Sequence, residues 1–230
     1  MDFNLKVIYE DNHLLVVEKP AGILVQGDST RKITLLEIAK SYIKEKYKKP
    51  GNVFLGIVHR LDKNVSGVLV FARNSKSAGR LSQAFREHMV EKVYIALTEG
   101  NTTLKEGIWE NYIFWDERNK KAVVFENEVT YSKKAITYFK VIEKRKELIL
   151  WKLSPKTGRK HQLRAELSHI GCPIVGDVKY GSKVRFVENA IALHCYKIKF
   201  KHPVRDEIME FKMDPPVAFY EKFGLFTLEI

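Results

Sequence analysis

Polar and apolar positions alternate over Leu5–Glu10 and again over His13–Glu18, which predicts two strands joined by the turn pair Asp11-Asn12. Lys19-Pro20-Ala21-Gly22 breaks that pattern. Ile23–Gln26 then reads as a short extended piece, bounded by Gly22 and Gly27 and ending in the polar turn Gly27-Asp28-Ser29-Thr30. From Thr34 to Tyr47, Leu35, Leu36, Ile38, Ala39, Tyr42 and Ile43 recur at helical spacing ahead of a lysine-rich end, the pattern of an amphipathic helix. The run Gly67–Ala72 is short, branched and bounded by turn formers, so a buried central strand is expected there. Asn74 or Ser75 can cap a helix from Lys76 to about His88. Glu91–Thr98 alternates as a strand, with Val93, Ile95 and Leu97 on one face and Tyr94 on the other.

Four strands with polar turns between them follow at Ile108–Trp115, Lys121–Glu126, Ala135–Glu143 and Glu147–Ser154, and a β meander is the expected arrangement. Pro155–Arg164 leads into a helix that ends at Ile170, with Gly171 as its stop and Pro173 beyond. Exposed backbone amides at Thr157 and Gly158, beside Arg159 and Lys160, would make this helix start anion-friendly. A strand over Ile191–Phe200 places Ala192, His194, Tyr196, Ile198 and Phe200 on one face and lysines on the other. A last strand at Glu207–Met213 and a short helix opened by Pro215-Pro216 complete the chain. With no linker and no repeat, residues 1–230 are expected to form one compact α+β unit.

The 230-residue chain carries 40 Lys and Arg against 28 Asp and Glu, a net charge of +12 spread along its length, which favours a polyanionic partner such as RNA or DNA. Cys172 and Cys195 lie outside any CxxC or CxxH pattern, so neither a disulfide framework nor a zinc site is indicated. The polar start Met1–Lys6 is unlike a signal peptide and no apolar run reaches membrane-spanning length, so a soluble, cytoplasmic protein is expected.

Asp62 lies in the polar stretch just before the central strand, with His59, Arg60 and Lys63 close by in sequence to favour its charged form. Arg164 sits one turn into its helix beside Leu163 and Leu167 and is expected to point partly inward. A buried guanidinium needs a partner, most naturally a carboxylate. Trp109, Tyr112, Phe114, Trp115 and Tyr131 interleave with Arg118, Lys120, Lys121, Lys133 and Lys134, a pattern that serves either base stacking or the underside of a sheet. His161 and His194 read as satisfied structural histidines.

Asp11–Gly22, His59-Arg60-Leu61-Asp62 with Ser66-Gly67, Lys92-Val93-Tyr94, Thr157–Arg164, and Gly176-Asp177 with Tyr180-Gly181 together resemble the RluA-type pseudouridine synthases. The motifs come in that family's order over residues 5 to about 215. The resemblance implies a mostly antiparallel central sheet flanked by helices and loops, with an active-site cleft across the sheet. It also implies an enzyme that isomerises uridine to pseudouridine within a ribosomal RNA or tRNA stem-loop, without metal or cofactor; a monomer is expected. By position Asp62 resembles the catalytic aspartate, Arg164 the arginine that pairs with it, and Tyr94 the tyrosine that packs against the target base. The target must leave its stack, and Arg60 is the expected wedge. His59, Lys63, Arg159 and Lys160 are expected RNA contacts. Lys160 stands where a hydroxyl residue is common, and Glu166 where a histidine is frequent. The small RNA-binding module that precedes the catalytic region in many relatives is expected to be missing, which would leave recognition to this domain's own basic surface.

Two other readings compete. Ser29-Thr30-Arg31-Lys32 and Lys156-Thr157-Gly158 spell two parts of a serine acyl-transferase signature whose Ser-Asp-Asn part is absent. A non-catalytic RNA-binding protein or chaperone could use the same basic surface, but has no need of a carboxylate in its groove.

Overall fold

Asp11 accepts the backbone N–H groups of His13 and Leu14 on Oδ1, each at 2.7 Å, and so turns β1 (Val7–Glu10) into β2 (Leu14–Lys19) as the sequence predicts. The computed structural model describes residues 5–27 and 33–228; the polar turn expected over 28–30 and the Ser29–Lys32 segment lie outside the described residues. Helix α1 (Leu35–Lys46) starts at a capping box in which Thr34 and Glu37 satisfy each other's backbone N–H. After β3 (Gly56–Ile57) comes β4 (Ser66–Ala72), buried at every residue, and then α2 (Ser75–Arg86). Asn74 is the cap, accepting the Ser77 N–H at 2.8 Å. Strand β2 runs antiparallel to β4 from Leu14 opposite Ala72 to Lys19 opposite Gly67.

The chain contacts resolve into two units. The first holds residues 1–90 and 197–213. The second holds residues 91–196 and 214–230, and begins with β5 (Glu91–Glu99), β6 (Glu106–Asp116), β7 (Lys121–Phe125), β8 (Lys133–Arg145) and β9 (Leu148–Pro155). Their spatial order is β5-β9-β8-β6-β7, so the expected meander is wrong at one joint: β8 pairs with β6, not with β7. The reason lies in β6 and in the fate of β7's other edge. Ile113 of β6 pairs with Val124 on one side and Lys133 on the other. The Ala122 N–H of β7 is taken by the Tyr180 hydroxyl at 2.8 Å, in a cluster with Ala165. At the centre of this sheet Trp151 is fully buried and donates its indole N–H to Thr98 at 2.8 Å.

Helix α3 (Gln162–His169) stops at Gly171, whose φ of +74° suits glycine. A 3₁₀ turn follows at Val178–Tyr180. Strand β10 (Leu193–Lys201) is divided between the units after Tyr196. Its second half, with β11 (Ile208–Lys212), gives the first unit Ile198, Phe200 and Phe211, which pack with Leu14, Val68 and Val70 and with Leu81 of α2. The last helix, α4 (Val217–Phe223), follows Pro215-Pro216. Every strand pairing described within the two units is antiparallel, and the architecture is the expected α+β.

Candidate active site

Asp62 lies half-buried in the connection between β3 and β4, and the main chain around it is organised by a lysine. Lys19, at the end of β2, is fully buried. Its Nζ donates to the carbonyls of Val65 (2.6 Å), Lys63 (3.0 Å) and Pro20 (3.1 Å), one acceptor for each ammonium hydrogen. Gly22 N–H donates to the same Lys63 carbonyl, and Val65 N–H closes the turn on the Asp62 carbonyl. Burial pushes Lys19 down to about 7, and the Asp62 carboxylate opposes that shift. His59 Nε2 accepts the Val70 N–H at 3.0 Å while the ring stacks on Phe85 with centroids 4.8 Å apart. These contacts tie the start of the loop to β4 and α2. Arg60 and Lys63 are exposed on this loop.

In the second unit, Tyr94 of β5 is buried on the strand face opposite Val93, Ile95 and Leu97. Its hydroxyl hydrogen-bonds to Cys195; burial nevertheless pushes that thiol up to about 12, so it is a thiol at neutral pH. Lys92, two residues earlier on the same face, has its ammonium lowered by burial. A Cβ on Gly158 would stand 3.9 Å from Lys92 Nζ, so a bare backbone borders this amine.

Arg164 is 7% exposed, and its carboxylate partner in this unit is Asp177. Nε donates to Oδ2 at 2.7 Å and Nη2 to Oδ1 at 2.8 Å, a bidentate pair. Its Nη1 lies 3.0 Å from His161 Nε2, and its guanidinium carbon 4.9 Å from the Tyr180 ring centroid. Because arginine only donates, Nε2 is the acceptor and the neutral ring's hydrogen sits on Nδ1, which is 2.9 Å from the Tyr180 hydroxyl. His161 is thus the satisfied structural histidine the sequence suggests.

Of the two amides expected to be exposed ahead of α3, that of Thr157 is taken up within the chain. Thr157 N–H points to the Ile136 carbonyl and Arg159 N–H to Gln162 Oε1. The side chains there form a relay: Thr157 donates to Gln162 at 2.8 Å, Gln162 to Thr137 at 2.9 Å, and Thr137 to Glu166 at 2.7 Å. Burial pushes the Glu166 carboxyl up to about 8, against the Thr137 hydrogen bond. Arg159 uses Nε on the Lys134 carbonyl at 2.8 Å, and Lys160 is exposed with Nζ 3.5 Å from the Trp115 ring centroid. Trp109 is packing, stacked on Phe139 at 4.3 Å.

Sequence reasoning missed Lys19 and Asp177. The signal for Lys19 was a lysine closing an otherwise apolar strand before Pro-Ala-Gly; the signal for Asp177 was the requirement that Arg164 have a carboxylate. Among the described residues no group of three or more His, Cys, Asp or Glu is placed to hold a metal ion, and no helix is long and apolar enough to cross a membrane.

An anchored aspartate loop in one unit and a buried tyrosine and arginine in the other, in a chain of net charge +12, fit a protein that acts on a polyanion. Residues 13–169 match the family described as RNA pseudouridylate synthase, and the chain belongs to that family of RNA isomerases. Ribosomal large subunit pseudouridine synthase C of Buchnera aphidicola subsp. Schizaphis graminum is 34% identical over 96% of this chain and 70% of its own length. Ribosomal large subunit pseudouridine synthase D of Borreliella burgdorferi is 36% identical over 90% of this chain and 65% of its own length. The chain thus spans about two-thirds of these relatives. Among solved structures, human RNA pseudouridylate synthase domain containing 4 superposes with a TM-score of 0.79 at 24% identity, covering 96% of this chain and 94% of the other. Human RNA pseudouridylate synthase domain containing 1 gives 0.72 at 26% identity, covering 93% and 84%.

Proposed function

We propose that this protein converts specific uridines of ribosomal RNA to pseudouridine, with Asp62 as the reacting carboxylate. The observation that carries this reading is the family match over residues 13–169, which takes in Asp62, Tyr94 and Arg164 together. The reaction balances within the substrate: the N1–C1′ bond breaks, a C5–C1′ bond forms, C5 gives up its proton and N1 gains one. No oxidant, reductant or second substrate is consumed. Catalysis therefore rests on charge, proton transfer and positioning.

The residues fit those tasks. Asp62 must be ionised to act, and a loop whose carbonyls are gathered on Lys19 holds its backbone in one path. By position Arg164 is the arginine of the catalytic set, and its bidentate pair with Asp177 fixes its guanidinium in one place. Tyr94 provides a ring for the target base and a phenolic hydrogen. The uridine leaves its stack at a cost of a few kcal/mol, and Arg60, exposed two residues from Asp62, fills the gap. Lys63, Arg159 and Lys160 meet phosphates, and His59 holds the loop that carries Arg60. The chain acts as a cytoplasmic monomer on a stem-loop, without metal or cofactor. The +12 charge supports RNA as the partner, and the names of the relatives support ribosomal RNA over tRNA.

Pseudouridine mapping at nucleotide resolution, on large-subunit ribosomal RNA and tRNA incubated with wild type and with Asp62→Asn, tests this. Product at defined ribosomal positions with wild type only, and RNA affinity of Asp62→Asn within about tenfold of wild type, is the expected result. Tight binding by both proteins with product from neither would overturn it in favour of an RNA chaperone.

A further inference from the structure

The second unit contains a cavity of about 240 Å³ lined by none of the residues proposed to react. Ile113 and Trp115 of β6 form its apolar side. Tyr131 and Lys133 come from the β7–β8 connection and the start of β8, and Arg159 and Lys160 from the segment ahead of α3. This volume lies just below the range typical of drug-sized ligands, about 300–1,000 Å³, and suits one planar ring with its attachments. No carboxylate is among the lining residues. Glu117, the acid that feels the charge of Lys160, is itself paired with Lys120 at 2.6 Å.

Two features set this cavity apart from ordinary packing. Tyr131 is 86% exposed and has a φ of +64°, a left-handed conformation that an aromatic residue adopts at an energetic cost. The turn that imposes it is closed on both sides, with Ser132 N–H donating to the Val129 carbonyl at 2.9 Å and Val129 N–H to Ser132 Oγ at 3.0 Å. An aromatic ring is thus held out in water by its own backbone. Trp115, in contrast, is fixed: His161 packs edge-on at 5.2 Å and the Lys160 ammonium covers its ring at 3.5 Å.

We propose that this cavity binds one unpaired nucleotide of the RNA substrate, separate from the uridine that reacts. The base stacks on Tyr131 and closes against Ile113 and the Trp115 wall. Lys133, Arg159 and Lys160 neutralise the phosphates on either side. Stacking rings with interspersed cations and no acid is the chemistry that holds single-stranded nucleic acid, because an unstacked base offers its π-face while a paired one does not. This inference rests on RNA being the substrate.

The test is a fluorescence titration of a short single-stranded RNA bearing one 2-aminopurine, with wild type, Tyr131→Ala, Tyr131→Phe and Lys160→Met. Wild type and Tyr131→Phe are expected to quench the probe, and Tyr131→Ala to lose the quench and about tenfold in affinity. An abasic residue in place of 2-aminopurine should cost wild type the same factor. Lys160→Met should lower the slope of log K against log salt by about 0.7, one phosphate contact to a single strand. On a ribosomal RNA substrate the cost of Tyr131→Ala should fall on KM rather than on kcat. Because Tyr131 is so exposed, its truncation removes no core contact. Equal quenching and affinity in wild type and Tyr131→Ala, or equal competition by a blunt RNA duplex, overturns the proposal. If quenching follows the expected pattern but no RNA is modified, the functional reading fails and the nucleotide site stands. If product forms while Tyr131→Ala changes neither quench, affinity nor KM, the site alone fails.

Discussion

Each unit buries a cation, but they satisfy it in different ways. In the first, Lys19 meets three main-chain carbonyls; in the second, Arg164 meets a carboxylate, an imidazole and a phenol ring. A cation tied to carbonyls dictates the path of the backbone and is indifferent to which side chains that backbone carries. A cation tied to side chains depends on their identity, and is in turn held at one point in space. The loop of Asp62 is shaped by the first device, and the guanidinium of Arg164 is placed by the second.

This contrast can be broken by mutation, most severely in the second unit. Arg164→Met leaves Asp177, 2% exposed, as an unpaired buried charge, and the expected loss is about 3–5 kcal/mol in denaturant unfolding. Adding Asp177→Asn to it should recover a large part. Lys19→Met strands carbonyls that are hydrogen-bonded now, and the expected loss is about 2–3 kcal/mol. Pseudouridine formation should fall with it, and amide exchange of residues 62–66 should quicken. Equal effects of Lys19→Met and Lys19→Arg on exchange would argue against the three-carbonyl geometry as the ordering element.

The two units also titrate in opposite directions. Lys19 is lowered from 10.5 to about 7, so between those values the folded state has released a proton that the unfolded chain keeps. Stability from this group therefore rises with pH across that window and is lost as pH falls through 7. Glu166 is raised from 4.5 to about 8, so the folded state keeps a proton the unfolded chain has lost, and stability falls as pH rises from 4.5 to 8. Glu166→Gln should abolish that fall, a smaller effect than the two losses above, read as slower exchange in α3 at pH 8 than in wild type. An unchanged pH profile in Glu166→Gln would remove Glu166 as its source.

Much of this was legible in the chain. The buried strand β4 follows from an unbroken branched run, and the face that Tyr94 shares with Lys92 follows from alternation. The inward turn of Arg164 follows from its leucine neighbours. What periodicity does not carry is the identity of partners brought in by loops. Asp177 lies thirteen residues from Arg164, across a glycine-punctuated turn, and nothing local pairs them. In sequence Lys19 reads as part of the break after the second strand, because lysine is so seldom buried. The strand order β8-β6-β7 escaped for the same reason as the Arg164 partner: Tyr180, far along the chain, takes the N–H of β7.

The split of β10 bears on synthesis. The first unit's core needs Ile198, Phe200 and Phe211, which emerge from the ribosome only after all of residues 91–196. During translation the N-terminal ninety residues wait with an open apolar face while the five strands β5–β9 become complete. The second unit closes only with residues 214–230, so neither core can be complete before the last stretch of chain is made, and the segment carrying Asp62 spends that interval with its apolar face open.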